Sequence, residues 1–322
     1  MKRSIFIVSL FTIVYSLNIG VLTSQAQPYP SHPIQLVIPS AAGDGSDIAA
    51  RLFAEELAKI LKIPVVPLNK PGASATLGTD LVVKSKKDGY TLLYANASAI
   101  VYARASDPDV VPYDPVKDLE PLGFHTFFPT VVCLRTEAPW KDFLEFREYA
   151  KKNPGKISYA TRGTNTIDHV QWEMIKAIVG MEMTPIPFKG VGAMTTALFG
   201  GHVDAASSPL GIFESQSGKA RGILLSLSVP DFPNIPTLQQ LGYKRGMPSP
   251  WTALFAPIGI PEEVKKVLIT AIEKAIKTPD LMSKMEKMRY VPGYKPPAEL
   301  KSLMVDDYES ALAVFKKSVT TK

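Results

Sequence analysis

The sequence contains a single cysteine, Cys133, which lies in the apolar run "PTVVCL". One thiol cannot form an internal disulfide, so side-chain packing must stabilise the folded chain. A lone cysteine among apolar residues usually behaves as a small buried side chain. We therefore predict that Cys133 is buried in a β-strand.

Residue types that carry catalysis or hold metals are sparse. The four histidines, His32, His125, His169 and His202, do not have the spacing of a metal site. No P-loop or dinucleotide fingerprint occurs, and "GDGSD" lacks the glycine that follows serine in a nucleophile elbow. The sequence therefore predicts neither a cofactor nor a metal. It disfavours an enzyme, although a catalytic group could be assembled from distant residues.

Neither sign of charge dominates, with 36 Lys and Arg against 30 Asp and Glu. The lysines are spread over helical patterns such as "EEVKKVLITAIEKAIK" and form no basic stripe with aromatic residues. Nucleic acid is therefore not an expected partner. The mild positive balance is compatible with a small anionic ligand.

Long apolar runs are confined to the N-terminus, which reads "MKRSIFIVSLFTIVYSLNIGVLTSQAQ". Lys2 and Arg3 precede the run, and the small-residue pattern "SQA" ends it, as in a secretory signal peptide. We predict that residues 1–26 are removed after Ala26 and that the protein is periplasmic. No cysteine lies near this cut, so a lipoprotein is not expected, and no second run approaches a membrane-spanning length.

From Ile34 onward, short β-rich runs alternate with helical patterns, which is typical of an α/β fold with mostly parallel sheets. The run "IQLVIP" predicts the first strand. Apolar residues recur at helical spacing from Asp47 to Leu61, which predicts a helix capped by Ser46 or Asp47.

The strand and helix pattern repeats after the proline-rich connection "VPYDPVKDLEPLGF". The length suits two lobes, and the aromatic strand "SPWTALFAPIG" is a candidate for the point where the chain returns to the first. We predict lobe 1 from residues 27–127 with 249–322 and lobe 2 from residues 128–248. A ligand cleft should lie between them.

Four turns that follow predicted strands are rich in Gly, Ser, Thr or Asn. They are Ala42–Asp47, Asn96–Ser98, Arg162–Thr166 and Lys189–Gly192. Ligands of α/β sheets bind beyond the carboxyl ends of the strands, where such turns lie. Each turn alone is compatible with an ordinary connection, but their recurrence in both halves favours a binding site.

The stretch "PSAAGDGSDIAARL" raises a question of charge. A glycine turn before a helix suits an anionic ligand, because the helix N-terminus offers free N–H groups. Asp44 lies between the two glycines and would repel such a ligand. Either its side chain points away, or it selects a ligand with a donor or cationic group beside the carboxylate, or a largely uncharged one.

Two cations directly precede turn glycines, in "TRGT" and "FKGV". Arg162 could bind a carboxylate through two hydrogen bonds, whereas Lys189 offers a point charge. Both could instead be solvated surface residues. The aromatic residues His125, Phe128 and Trp251 lie near the predicted crossing points, where we favour hinge packing over an aromatic wall.

Seven segments in the same order resemble the Bug family, the solute receptors of tripartite tricarboxylate transporters. They are "YPSHPIQLVIPSAAGDGSDIAARLFAEELAKIL", "NKPGASATLGTD", "KDGYTLLYANAS", "PYDPVKDLEPLG", "NPGKISYATRGTNTIDHV", "PIPFKGVGAMTTALFGGHVDAA" and "WTALFAPIGIPEEV". The resemblance covers nearly the whole mature chain. It implies a two-lobed periplasmic binding protein fold, type II-like, that closes on a small di- or tricarboxylate or an aromatic acid.

By matching position, the resemblance assigns ligand contacts to the first turn and to turns of both lobes. The residues are Ala42, Gly43, Asp44, Gly45, Asn96, Ser98, Thr164, Thr166, Lys189 and Gly190. Four positions depart from the family pattern: Ser40 replaces an aromatic residue, Asp44 a glycine, Arg162 a small residue and Ser208 an aspartate. We include Ser40, Arg162 and Ser208 among the candidate ligand-binding residues. Loss of the carboxylate at position 208 makes an amino-acid ligand less expected.

The sequence thus predicts a monomeric solute receptor without catalytic residues. It would bind a small organic anion by hinge closure and deliver it to membrane subunits of a tripartite tricarboxylate-type transporter. A ligand-sensing subunit that signals through a membrane partner is the first alternative. A hydrolase on the same scaffold is the second.

Overall fold

The computed structural model describes residues 28–163, 166–216 and 218–320. The predicted signal peptide, residues 1–26, lies outside them. The strands are β1 Ile34–Ile38, β2 Val65–Asn69, β3 Thr91–Asn96, β4 Leu119–Phe127, β5 Thr130–Arg135, β6 Ser158–Thr161, β7 Thr184–Pro187, β8 Ala205–Pro209, β9 Ala220–Leu225, β10 Trp251–Pro257 and β11 Val291–Lys295.

Helices connect most of these strands. They are α1 Gly45–Leu61, α2 Thr76–Val83, α3 Ala103–Ser106, α4 Pro115–Asp118, α5 Phe143–Lys152, α6 Ile167–Val179, α7 Val191–Phe199, α8 Leu210–Ser215, α9 Glu262–Ile276, α10 Pro279–Lys287 and α11 Pro297–Thr320. A 3₁₀ turn at Ala73–Ala75 and a π-helical turn at Ser98–Tyr102 complete the helical segments. In the described part of the chain, no helix is long and apolar enough to cross a membrane.

Two mixed sheets form the cores of two lobes. The six-stranded sheet of lobe 1 has the order β11-β4-β10-β3-β1-β2, and the five-stranded sheet of lobe 2 has the order β7-β6-β8-β5-β9. Strand β1 pairs in parallel with β2 and β3, and β6 pairs in parallel with β7 and β8. The α/β, two-lobed fold class is confirmed.

The prediction of mostly parallel sheets is wrong. Strand β10 is antiparallel to β3 and β4, β11 is antiparallel to β4, and β5 is antiparallel to β8 and β9. For β5 and β10 the reason is the path of the chain, because each follows a crossing between the lobes and enters its sheet in the opposite direction. Strand β11 follows two helices of lobe 1 and joins the edge of the sheet beside β4. Alternating strand and helix patterns reveal elements but not the direction of a strand that arrives from the other lobe.

The chain crosses between the sheets after β4 and before β10. Strand β4 ends at Phe127 in lobe 1, and β5 begins at Thr130 in lobe 2. The chain returns at β10, and α9, α10, β11 and α11 then pack on lobe 1. Trp251 Nε1 donates to Asp307 Oδ2 of α11 at 2.7 Å, which ties the last helix to the returning strand.

Apolar periodicity explains how the helices pack. Helix α1 buries Ala49, Phe53 and Leu57 against the lobe 1 core. Its helical turn begins at Gly45 with Asp44 as the N-cap, so the predicted caps Ser46 and Asp47 are wrong. Asp44 takes the cap because its side chain accepts from the backbone N–H of Asp47 at 2.9 Å.

The lone thiol behaves as predicted. Cys133 is buried in β5 and forms no disulfide, and burial raises its pKa to about 12. A thiol in this state is neutral and unreactive. It serves as packing in lobe 2.

Candidate functional site

A cavity of about 500 Å³ lies between the lobes, beyond the carboxyl ends of the parallel strands. Its polar lining is Asp44, Ser46, Asn96, Ser98, Thr130, Arg162, Asp168, Gln171, Ser207, Arg289 and Tyr290. Its apolar lining includes Phe128, Ile167, Val191, Met194, Leu210, Ile212 and Met288. The volume suits a small organic molecule with an apolar body and a few polar groups.

The buried carboxylate of Asp47 stabilises the turn Ala42–Asp47 between β1 and α1, which we call the first turn. Asp47 accepts from the backbone N–H of Gly43 at 2.8 Å, from Arg51 Nε at 2.9 Å and from Asn69 Nδ2 at 2.9 Å. Burial raises the pKa of Asp47, but these hydrogen bonds outweigh it, so the pKa lies below its ordinary value. The N–H of Gly43 is therefore already used inside the protein.

Asp44 faces the cavity while it caps α1. Its Oδ1 accepts from Asp47 N–H, and its side chain is exposed to the cleft. The walls of the cleft still remove enough water that burial raises the Asp44 pKa, although hydrogen bonds to the carboxylate oppose this. The structure thus resolves the direction of this side chain: it does not point away from the cleft.

Glycine at position 45 has a steric reason. A Cβ at this position would lie 2.7 Å from Tyr290 Oη, so the tyrosine ring could not approach the first turn. Burial raises the pKa of Tyr290 above its ordinary value, and the nearby negative charge of Asp44 raises this pKa further. Its ring packs on Phe128 with centroids 4.4 Å apart.

Phe128 and Tyr290 therefore form an aromatic wall of the cavity. The expectation of hinge packing is wrong for Phe128, which lines the cavity. His125 and Trp251 are fully buried in lobe 1, so packing describes them. In lobe 1, Asn96 Oδ1 accepts from Ala99 N–H at 3.2 Å, which leaves the Asn96 amide donors for other partners.

Lobe 2 supplies Arg162 to the lining of the cavity. Arg162 donates from Nε to Asp168 Oδ1 at 2.8 Å, and its backbone N–H donates to Asp168 Oδ2 at 2.5 Å. Asp168 is buried in the first turn of α6, whereas the Arg162 side chain keeps 38% of its surface exposed. A guanidinium has five N–H donors, so this pairing leaves donors that can reach a ligand.

Two helices of lobe 2 begin at the cavity, and within the described residues their N-cap residues, Thr166 and Gly190, make no side-chain cap hydrogen bond. Thr166 precedes α6 but donates its hydroxyl to Gly163 O at 2.6 Å, and Gly190 precedes α7. Ile167 and Val191, the first residues of these helices, line the cavity. The free N–H groups of such first turns carry partial positive charge and suit an anion.

A buried glutamine supports the floor of the cavity. Gln171 Nε2 donates to Thr130 Oγ1 at 2.6 Å and to Pro248 O at 2.7 Å. Ser207 Oγ donates to Gln171 Oε1 at 2.6 Å. Because Thr130 accepts in this network, its own hydroxyl hydrogen is free to point at a ligand.

An ion-pair bridge joins the lobes at the mouth of the cavity. Arg289 of lobe 1 donates to both carboxylate oxygens of Glu214 at 2.5 and 2.6 Å and to Asp231 Oδ2 at 2.5 Å. Glu214 lies in α8, and both acids belong to lobe 2. Hydrogen bonding to Arg289 holds the Glu214 pKa below its ordinary value. We call this group the Arg289 bridge.

Five of the predicted residues line the cavity: Asp44, Gly45, Asn96, Ser98 and Arg162. Thr164 lies outside the described residues. The others lie elsewhere: Ser40 is buried beneath the first turn, Ala42 and Gly43 are exposed, Thr166 is half-buried, Lys189 and Gly190 are exposed, and Ser208 borders a smaller pocket beside Cys133. Whether any of the thirteen contacts a ligand stays a prediction.

Sequence reasoning missed Gln171, Ser207, Arg289 and Tyr290. Gln171 could have been noticed as a polar residue on the apolar face of α6, since a buried polar group needs a partner. Arg289 and Tyr290 carry no local signal, because only the return of the chain to lobe 1 places them at the cleft.

No group of histidine, cysteine or acidic residues in the described ranges could hold a metal ion. The described lining of the cavity also contains no histidine or cysteine. What remains is a two-sided cleft with hydrogen-bonding groups, two arginines, two aspartates and an apolar wall. This fold and this site define a two-lobed solute-binding protein.

The chain belongs to the tripartite tricarboxylate transporter receptor family, whose model matches residues 49–318. This is a family of periplasmic solute receptors, and the predicted resemblance to Bug proteins is confirmed. The sensory and hydrolytic alternatives gain no support from these matches.

Three similar proteins illustrate the relationship. Protein BugT of Bordetella pertussis is 29% identical over 297 residues, with 91% of each chain covered. A UPF0065 protein of Cupriavidus necator is 32% identical over 299 residues, which cover 91% of this chain and 90% of that one. The structure of MatC from Rhodopseudomonas palustris with bound malate has a TM-score of 0.73 at 27% identity, covering 89% of this chain and all of that one.

Proposed function

We propose that this protein is a periplasmic receptor that captures a small organic carboxylate, either a dicarboxylate or an aromatic acid. In this proposal residues 1–26 direct secretion, and the mature protein acts as a monomer. Residues 27–127 with 249–322 and residues 128–248 form the two bodies that hinge shut. The chemistry is reversible binding, and membrane subunits of the tripartite tricarboxylate type receive the ligand.

The observation that carries the proposal is the asymmetry of the cavity. Arg162, which keeps free donors, and the N-termini of α6 and α7 belong to lobe 2. Lobe 1 supplies Asp44, neutral polar groups and Arg289, whose charge is already paired with Glu214 and Asp231. A carboxylate would therefore bind lobe 2 first, against Arg162 and the first turns of α6 and α7. The malate bound to MatC supports a carboxylate ligand in this fold.

The rest of the ligand would lie against the wall of Phe128 and Tyr290. Closure of the lobes would expel water and strengthen every hydrogen bond to the carboxylate. The Arg289 bridge would then hold the lobes together across the mouth of the cavity. A membrane partner could recognise this closed form, because both lobes must be engaged to present it.

A thermal-shift screen of organic acids tests the proposal. Each acid is compared with its own primary amide, which keeps the shape but removes the charge. A ligand that binds only the folded protein at about 100 times its Kd stabilises it by about 2.7 kcal/mol. We expect some acids to raise the Tm and their amides to have no effect. Shifts by neutral or cationic compounds alone, with none from any carboxylate, would refute the proposal.

The Arg289 bridge supplies a second prediction. Arg289→Ala should shift the lobes towards the open form and weaken the binding of the acid found in the screen about fivefold. The effect is modest because partly exposed ion pairs are weak and are screened by salt. Stopped-flow measurement should place most of the loss in a faster dissociation rate.

Arg289→Lys and Lys287→Ala are the matched controls. Lysine keeps the charge but loses the two-oxygen contact with Glu214, so an intermediate loss is expected. Lys287 is exposed near the same turn and should not matter. The radius of gyration, measured by small-angle X-ray scattering, reports how far the lobes are open. If Arg289→Ala leaves both the dissociation rate of the ligand and this radius unchanged, the bridge does not hold the closed form.

A further inference from the structure

The charged groups of the cavity do not match a ligand with two carboxylates. Four of them line it: Asp44, Arg162, Asp168 and Arg289. Arg162 is paired with Asp168, and Arg289 is paired with Glu214 and Asp231. Asp44 has no cationic partner within ion-pair distance in the described part of the chain. Asp44 is therefore the one of these four described charges that no ion pair neutralises.

Asp44 is also fixed in place. Its hydrogen bond to Asp47 N–H holds the carboxylate at the start of α1, and Tyr290 Oη lies over the adjacent Gly45. The Asp44 carboxylate also accepts hydrogen bonds from the Ser40 side chain and the Ser46 backbone. An ionised carboxylate has about four lone-pair sites, so these contacts still leave acceptor capacity for another donor. The exposure of Asp44 to the cleft makes that capacity reachable by a ligand.

We infer that Asp44 is a specificity-determining residue that selects monocarboxylates with an ammonium or other hydrogen-bond donor at their far end. This inference rests on the proposed function, that of a receptor for a small organic carboxylate, and it disfavours dicarboxylates as the ligand. The carboxylate end binds Arg162 and the helix N-termini of lobe 2, and the donor end meets Asp44 of lobe 1. Each end of the ligand thus finds the opposite charge, which also explains why closure of the lobes is favourable.

A dicarboxylate of the same length would place its second charge beside Asp44. Like charges repel more strongly once closure removes the water between them. We expect the amino member of a matched pair to bind at least about tenfold more tightly than the dicarboxylate. Asp44 would thus set the ratio between the affinities for the amino monocarboxylate and the dicarboxylate, rather than the affinity for carboxylates in general.

Two matched pairs of probes test the inference by isothermal titration calorimetry. They are 4-aminobutanoate with succinate and 6-aminohexanoate with adipate, so that each pair differs only in the group at one end. The variant is Asp44→Ser, because serine is an equally good N-cap and removes only the charge. The control is Asp142→Ser, since Asp142 caps α5 by accepting from Glu145 N–H at 2.9 Å and is exposed away from the cavity.

We expect the unaltered protein and Asp142→Ser to prefer the amino member of at least one pair. Asp44→Ser should lose that preference, mainly because it binds the dicarboxylate more tightly. A preference for dicarboxylates in the unaltered protein, or an amino preference that survives Asp44→Ser, would overturn the inference. If neither pair binds while other carboxylates raise the Tm, the inference fails and the proposed function stands. If no carboxylate binds at all, both fail.

Discussion

Arg162→Ala should weaken the binding of the carboxylate ligand by about 1.5 to 3 kcal/mol, the range for hydrogen bonds to a charged group. The substitution removes the arginine that lines the cavity in lobe 2 and still has free N–H donors. It also leaves Asp168 buried without its cation, so an additional negative charge faces the ligand. The loss should therefore lie towards the upper end of this range.

Lys189→Ala is the matched control for this variant. Lys189, like Arg162, directly precedes a turn glycine, but it is exposed and does not line the cavity. Titration calorimetry should show unchanged affinity for Lys189→Ala. Equal losses from both substitutions would mean that the ligand responds to the overall charge of lobe 2, and an unaffected Arg162→Ala would assign Arg162 to the surface.

Gln171→Met should lower the free energy of unfolding by about 2 to 4 kcal/mol. Methionine has a similar volume, so the cost comes from polar groups that lose their partners rather than from a cavity. Thr130, Ser207 and the carbonyl of Pro248 all depend on this one fully buried side chain. These groups join α6, β5, β8 and the segment that leads back to lobe 1.

Urea unfolding of Gln171→Met beside Gln239→Met checks this prediction. Gln239 is exposed in the same lobe, so the same exchange should change stability by less than about 0.5 kcal/mol. A Gln171→Met protein as stable as the unaltered one would mean that the buried network contributes nothing. Reduced affinity of the folded variant would further indicate that Gln171 positions Thr130 and Ser207 at the ligand.

Much of the fold follows from local pattern. The apolar periodicity of α1, the burial of Cys133 and the two-lobed alternation of strands and helices are all confirmed. The direction of strands β5, β10 and β11 could not be predicted in this way. For β5 and β10 the direction depends on the crossing from the other lobe, and for β11 on the path of the two preceding helices, and no local spacing encodes either.

Local sequence features predicted some residues of the site and missed others. Strand-end turns are local features, so Asp44, Asn96 and Arg162 could be placed at the cleft from the sequence. The sequence left the direction of the Asp44 side chain open, and the structure places it at the cavity while it caps α1. Arg289 and Tyr290 reach the cleft through a chain return of more than two hundred residues from the first turn. Pattern alone cannot find such residues.

A crystal structure with the carboxylate that raises the Tm most tests the central claim most directly. The ligand should lie between the lobes, with its carboxylate against Arg162 and the first turns of α6 and α7. Phe128 and Tyr290 should cover its apolar part. A ligand bound outside the cleft, or one whose carboxylate contacts the first turn of lobe 1 while Arg162 makes no contact, would contradict the account.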